Sequence, residues 1–357
     1  MRILYSLKPL PVCRNLLVGL AAICCGLSTQ GHRAALSYAT EWQTDFRSKA
    51  NWVNLLQLEG EINLNPEFRA VAKTISTCKT AADGIMSDLL AFSNIEEENI
   101  PLALSRLGVA FDKEYWGLFA GIGNVNDDFF ATPLTSIYTN SSCGIFPTLS
   151  CNFSIANYPD AALGIEGHYD FDNVSINSAL YNGKGSHRFA GENCVFACRP
   201  ARDGIFNINA VNYHQHDNNY NIGIAVYHGH PGNQELGTQD FSPIQTSEKK
   251  TTKIACWLYA EQKIVRNLSF IAQYSHCGAV QDGCRDFAGV GIAWRQPKFD
   301  IACYSCYASF TDNHEWASEL TFRYNLSGNL YIQPALHYVR NATDSGLIGL
   351  MRICYEL

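Results

Sequence analysis

Two histidine pairs, His214-x-His216 and His228-x-His230, and the pair Cys303-x-x-Cys306 are the spacings in this chain that invite metal or redox chemistry. In an extended segment, residues two apart share a face and residues three apart do not. Each histidine pair can therefore present two rings together, whereas Cys303 and Cys306 point to opposite faces and cannot easily share a metal or a bond. If Asp217, Asn218 and Asn219 form a hairpin turn, His228 pairs near Ile208, roughly 20 Å along the strand from His214 at about 3.3 Å per residue. The two pairs do not make one four-ligand site, and no metal or other cofactor is expected. Enzymatic signatures are equally missing. There is no G-x-S-x-G elbow, P-loop or H-E-x-x-H, and Gly121/Gly123 and Gly289/Gly291 lack the third glycine of a dinucleotide loop. The chain is not expected to be an enzyme.

Carboxylates are the next candidates, and their setting is polar without being basic. The chain of 357 residues carries 33 acidic against 26 basic side chains, for a net charge of -7. No Lys/Arg cluster of the kind that phosphate binding needs occurs, so no nucleic-acid partner is expected. Nearly half the residues are hydrophobic, too many for a disordered chain, yet mean hydropathy is only -0.10. Such an average disfavours a bundle of membrane helices, each about 20 apolar residues long. It leaves a soluble fold or a membrane β-barrel, in which lipid-facing and lumen-facing residues alternate.

The N-terminus reads as an export signal. Arg2, Lys8 and Arg14 precede an apolar run from Leu16 to Leu27, with small residues Gly26 and Ser28 at a cleavage site near 28. Residues 1–28 are expected to be removed, 29–50 to form a lead-in, and 51–357 to form the folded body. Of the fourteen cysteines, Cys13, Cys24 and Cys25 leave with the signal. In a disulfide-permissive compartment, Cys194 with Cys198 and Cys277 with Cys284 bracket polar loops and are the candidate disulfides. The alternative is buried, reduced cysteines acting as small hydrophobes.

Strict alternation runs through the remaining chain. Leu56, Leu58, Ile62 and Leu64 oppose Gln57, Glu59, Glu61 and Asn63, and Leu163, Ile165, Gly167, Tyr169 and Phe171 oppose Glu166, His168 and Asp170. Trp316, Ser318, Leu320, Phe322 and Tyr324 oppose Glu315, Glu319 and Arg323, and a last strand places Leu347, Met351, Ile353 and Tyr355 against Arg352. Strands of about 9 to 11 residues cross a tilted bilayer. Short turns such as Asp172-Asn173 alternate with long segments such as Thr77 to Glu98, Thr132 to Pro159, Asn182 to Asp203 and Gly229 to Thr252. The expected fold is all-β: a transmembrane antiparallel β-barrel of about 16 strands (14–18), with short periplasmic turns and longer external loops. A barrel of that size encloses an aqueous channel.

The residues then bring a family into view. Asn329-Leu-Tyr-Ile-Gln-Pro334-Ala-Leu-His-Tyr-Val-Arg-Asn341, followed by Leu347-Ile-Gly-Leu-Met-Arg352, resembles the C-terminal signature of the carbohydrate-selective outer-membrane porins, the OprB family. Ser93-Asn94-Ile95-Glu96, Ala120-Gly121-Ile122-Gly123-Asn124 with Asp128-Phe129-Phe130, Thr139-Asn140-Ser141-Ser142, and Asn157-Tyr158-Pro159 occur in the family's order, so the resemblance covers about residues 42 to 357. Ala342 and Leu357 depart from the pattern, as do the many cysteines.

The resemblance implies a passive diffusion channel for small carbohydrates in the bacterial outer membrane. Its partners would be small sugars, outer-membrane lipid and the barrel-assembly machinery, with a homotrimer as a candidate assembly. A sugar pore needs carboxylates and arginines that exchange for water on hydroxyls, and aromatic surfaces for the apolar face of a pyranose. Polar-face candidates are Glu59, Glu61, Glu166, His168, Asp170, Glu315, Glu319, Arg323 and Arg352; Trp257, Tyr259 and Glu261 share another face. Alternatively these charges only solvate the wall, and Trp257 belongs to an interfacial girdle. A second class of function is a structural barrel with little sugar selectivity, disulfide-linked to other envelope proteins.

Overall fold

The computed structural model describes residues 32–229, 250–278 and 283–357. The expected signal segment and His230 lie outside them. The described residues form sixteen strands: β1 (Arg33–Thr44), β2 (Ala50–Asn63), β3 (Phe68–Lys79), β4 (Ile100–Asp112), β5 (Trp116–Gly123), β6 (Ala162–Phe171), β7 (Val174–Asn182), β8 (Ile205–Gln215), β9 (Asn218–Gly229), β10 (Thr251–Val265), β11 (Leu268–Gly278), β12 (Cys284–Arg295), β13 (Phe299–Phe310), β14 (His314–Ser327), β15 (Leu330–Asn341) and β16 (Ser345–Glu356). Each pairs antiparallel with its sequence neighbours, and β1 pairs with β16, so the sheet closes without an edge. Leu36 and Leu357 exchange backbone hydrogen bonds of 3.0 and 2.8 Å at this seam.

Closure is what makes alternation obligatory. With every ladder group paired, each residue faces either lipid or lumen. Ile165, Ile222 and Leu320 lie on the outer surface and are more than half exposed, whereas Glu166, Asn221 and Glu319 beside them in sequence point inward and are buried. At the short-turn end, aromatic rings join neighbouring strands on the outside: Phe68 with Phe111, Phe111 with Trp116, Tyr213 with Tyr220, and Phe299 with Phe322. Such a row marks a membrane interface, where a ring can be apolar on one side and wet on the other.

Two expectations change. Residues 29–50 are not a lead-in, because Arg33–Thr44 is itself a barrel strand, with Trp42 turned outward and Glu41 and Gln43 buried inside. The β8–β9 connection is tighter than a three-residue turn. Gln215 pairs with Asn218, His216 takes a positive φ of 58°, and His228 pairs with Ile205 instead of lying near Ile208. Nine residues of strand, about 30 Å, then separate His214 from the His228 level.

The connections at one end are turns of two to four residues. At the other end lie the long segments 80–99, 124–161 and 183–204. The segment between β5 and β6 folds into the lumen. Its first element is a one-turn helix, α1 (Val125–Phe129), capped by Asn124, whose Oδ1 accepts from the Asn126 N–H at 3.0 Å.

Candidate permeation site

Side-chain size on the inner wall decides where the inward loop sits. From β8 to β15 many lumen-facing positions are alanine: Ala210, Ala225, Ala255, Ala293, Ala302 and Ala317 are all buried. They form a shallow trough, and loop residues Ile137, Tyr138, Phe146, Leu149 and Phe153 fill it against Tyr304, Trp257, Phe287 and Phe206. Tyr138 packs 5.2 Å from Tyr304, and Phe146 5.8 Å from Phe287. Each such ring removed from water contributes roughly 1.5–3 kcal/mol, so the loop is seated as firmly as a protein core.

Polar side chains of the wall finish the seating. Glu319 accepts from the backbone N–H groups of Thr139 and Asn140, both at 2.9 Å, and Gln333 donates to the Ile137 carbonyl at 2.7 Å. Gln273 donates to the Cys143 carbonyl at 2.7 Å, and Asn152 of the loop clamps the Cys284 N–H and carbonyl at 2.8 and 2.6 Å. Segment 80–99 is held likewise. Glu315 accepts from the Leu89 and Leu90 N–H groups at 2.8 and 2.9 Å, while Arg352 binds Glu41 and, at 2.5 Å, Asn94 Oδ1.

Several sequence candidates thereby change role. Glu315, Glu319 and Arg352 point into the barrel but are buried under the loops, their hydrogen-bonding capacity spent on loop backbone and on Glu41. Glu261 is bound by Thr132 and by the Tyr259 hydroxyl. Trp257 faces the lumen, not a girdle, and is covered by Phe130 and Phe146. Arg323 pairs with Asp300 at 2.8 Å, lies over the Tyr331 ring and reaches the Ser136 carbonyl under the loop. Glu261, Glu315, Glu319, Arg323 and Arg352 are thereby not open to a passing solute as a sugar contact would be.

The opposite wall, β2 to β6, carries long charged side chains and stays open. Lys73 of β3 and Arg106 of β4 are direct cross-strand partners and both face α1. Lys73 Nζ lies 2.7 Å from Asp127, and Arg106 Nη1 2.8 Å from Asp128. Arg106 Nη2 meets Glu166 of β6 at 2.5 Å, and its guanidinium lies flat on Phe119, 3.9 Å from the ring centroid. Glu166 also accepts from the Tyr181 hydroxyl at 2.7 Å. The wall is shaped for this packing. A Cβ at Gly123 would stand 2.2 Å from Glu166 Oε1, and Gly121, at a φ of 153°, leaves no room for a side chain against the Leu107 carbonyl.

One level nearer the short turns, Arg69 pairs with Glu61 and Asp112, both at 2.9 Å. His168 lies 3.9 Å from Asp170, with both side chains exposed, and Glu59 is exposed on the same wall. Of the sequence candidates, Glu59, Glu61, Glu166, His168 and Asp170 lie on this wall, joined by Arg69, Lys73, Arg106 and Asp112 and by Asp127 and Asp128 of α1, none of which is among those candidates. A signal was available: Arg69 and Lys73 share a strand face, with Val71 between them, opposite Ala70 and Ala72.

Open space flanks this charged ring. A vestibule of about 770 Å³ above it is lined by Lys73, Asp127 and the loop residues Glu97, Asp160 and His187, and about 290 Å³ lies below, lined by Arg69, Arg106 and Glu166. In the vestibule, His187 contacts Asp160 at 2.8 Å and Glu98 at 3.3 Å. The bond to Asp160 raises its pKa above the ordinary histidine value. Burial pushes the carboxyls of Glu97 and Asp88 up to about 7.

All eleven described cysteines are free thiols, including Cys194, Cys198, Cys277 and Cys284, which sequence spacing made candidate disulfides. Cys277 and Cys284 are buried, and their thiols donate to the carbonyls of Gly278 and Asp286. Cys303 and Cys306 fall on opposite faces, one exposed and one buried.

No family model and no curated sequence matches the chain. Solved structures do. The high-pH structure of OprB from Pseudomonas putida aligns with a TM-score of 0.74 at 14% identity, over 97% of this chain and 96% of that one. The fold is that of a porin. OmpT of Vibrio cholerae, without its loop L8, aligns at 0.61 with 9% identity over 91% of this chain and 99% of that one. The anion-selective porin of Comamonas acidovorans aligns at 0.59 with 13% identity over 92% and 99%. At such identities the porin likeness fixes the barrel and its topology, and the residues of the ring belong to this chain's own account.

Proposed function

We propose that the protein is a passive diffusion channel of the bacterial outer membrane that admits small neutral carbohydrates. The observation that carries this reading is the charged ring between α1 and the β3–β4–β6 wall, with open space on both sides. Every basic group in it is already paired. Lys73, Arg106 and Arg69 each keep N–H groups beside carboxylate oxygens, so a solute meets donors and acceptors side par side without an uncompensated cation to trap it. Sugar hydroxyls need that combination, together with binding weak enough to release. The aromatic band outside, the closed ladder and the export-like N-terminus support placement in an outer membrane, with the short turns toward the periplasm.

Purified protein in liposomes should permit swelling in glucose well above empty vesicles. Swelling no faster than that control, together with no conductance in planar bilayers, overturns the channel reading. Arg106→Ala should alter both glucose flux and ion conductance. Unchanged values would remove the ring from the permeation path.

A further inference from the structure

A second chamber lies beside the charged ring and differs from it in chemistry. It encloses about 220 Å³ on the other side of α1, between that helix and the inner wall of β7 to β11. Asp128, Phe129 and Asn177 border both this chamber and the space below the ring, so the two spaces are neighbours separated by the end of α1. Where the ring is ionic, the chamber is lined mainly by amides and aromatic rings. Asn177, Asn212, Asn219 and Asn221 come from three consecutive strands, and the register sets Asn212 opposite Asn221 and His214 opposite Asn219. Asp128, its carboxylate in this set, is committed to Arg106.

The amides are held in place. Asn221 donates to Asn212 Oδ1 and accepts from the Trp257 indole N–H, both at 2.5 Å, and Asn177 donates to the Asp128 carbonyl at 2.9 Å. Asn219 Oδ1 is the exception: it is buried and has no hydrogen-bond donor. A buried acceptor without a donor costs roughly 1–3 kcal/mol, and a hydroxyl entering the chamber would relieve that cost. Tyr259 and Phe129 supply apolar ring surface at the same place.

We propose that this chamber is a holding site for one neutral monosaccharide, whose hydroxyls bind the asparagine amides while its apolar face lies against the rings. The site rests on the channel reading above and deepens it, because a sugar leaving the ring past Arg106 enters a space that adjoins it. Amides exchange readily with hydroxyls, and with no lysine or arginine among the lining groups nothing there is permanently charged to hold a sugar phosphate or an organic acid.

Titration calorimetry on detergent-solubilised protein tests the site without requiring conduction, with glucose and glucose 6-phosphate as probes. Wild type should bind glucose saturably and glucose 6-phosphate at least tenfold more weakly. Asn212→Ala with Asn219→Ala should raise the glucose half-saturation about tenfold, the loss of one to two net hydrogen bonds. Lys113→Ala, at a distant turn, is the control. If the double variant fails to show the barrel's β circular dichroism, Asn219→Ser alone carries the test, with a rise of about threefold. No saturable glucose heat in wild type, equal affinity in the asparagine variants, or tighter binding of the phosphate each overturns the proposal. Saturable, asparagine-dependent binding in a protein that shows neither swelling nor conductance would leave the chamber standing and remove the channel.

Discussion

The β2–β6 wall and the β8–β15 wall are built on the same ladder, with the same alternation, yet one is the open side of the lumen and the other is a seat for the inward loop. The difference lies in the chemistry of the inward side chains. On the seat small inward residues such as Ala255, Ala302 and Ala317 alternate with large ones such as Trp257, Tyr259 and Tyr304, and the gaps they leave are filled by loop residues such as Tyr138 and Phe146 packed like a core. On the open wall they are Arg69, Lys73 and Arg106, too long and too polar to accept an apolar loop. Polar residues follow the same division: Glu319 and Gln333 of the seat hold loop backbone, whereas Glu61 and Glu166 of the open wall hold arginines. In a barrel too wide to fill with its own side chains, wall composition alone can decide where the opening lies.

Removing the seat's main anchor should break this division most severely. Glu319→Ala leaves two buried loop N–H groups without their acceptor, a cost of about 3 kcal/mol. Hydrogen exchange at Thr139 and Asn140 should accelerate about a hundredfold, and single-channel current should become noisier. Protection equal to wild type would show that apolar packing alone holds the loop.

The next effect is on the open wall. Five carboxylates (Glu61, Asp112, Asp127, Asp128 and Glu166) face three basic groups along it. The channel should therefore prefer potassium over chloride, and the preference should weaken at high salt. Arg106→Ala should strengthen it, and Asp127→Asn with Asp128→Asn should abolish it. Reversal potentials in a salt gradient read both signs, and a potential unmoved by either variant would place the limiting ring elsewhere.

A smaller effect concerns the vestibule. Asp88 and Glu97 have folded-state pKa values of about 7, above the ordinary values of 3.8 and 4.5. The folded loop therefore binds more protons than the unfolded one between those limits, and stability must fall as pH rises through that window. Segment 80–99 should exchange its amides more slowly at pH 5 than at pH 8 after correction for intrinsic rates. Glu97→Gln should reduce that pH dependence, and a dependence of opposite sign would mean that the carboxyls are not protonated on folding. The smallest change is expected at Lys113→Ala. Its partner Glu67 is as exposed as Lys113 itself, so stability should change by less than about 0.5 kcal/mol, checked by urea titration of the refolded barrel.

Most of the wall was legible because a period of two is a strong signal when one face must meet lipid. Trp316 to Tyr324 and Ile165 to Phe171 fell on the outer face as read from sequence. The site was legible only in part, for a physical reason. Alternation tells which face a residue takes, and Glu166 and Glu319 are alike in that respect. What separates them is the loop between, whose backbone takes up Glu319 while Glu166 pairs with Arg106. The path of that loop depends on the alanine trough, a feature spread over many strands and invisible in any one of them. β1 was missed at the opposite extreme: its inward Glu41 and Gln43 and outward Thr40 blur the alternation near Trp42.

The seam between β1 and β16 has a kinetic consequence. It joins the two described strands farthest apart in sequence, and nothing local can nucleate it. All fourteen strands between must already be in register before Leu36 can find Leu357, and closing so long a loop makes the step intrinsically slow. Until then the sheet carries two bare edges, each able to template the wrong partner. A chain of this topology spends its riskiest interval nearly complete, and whatever shields those two edges governs its yield.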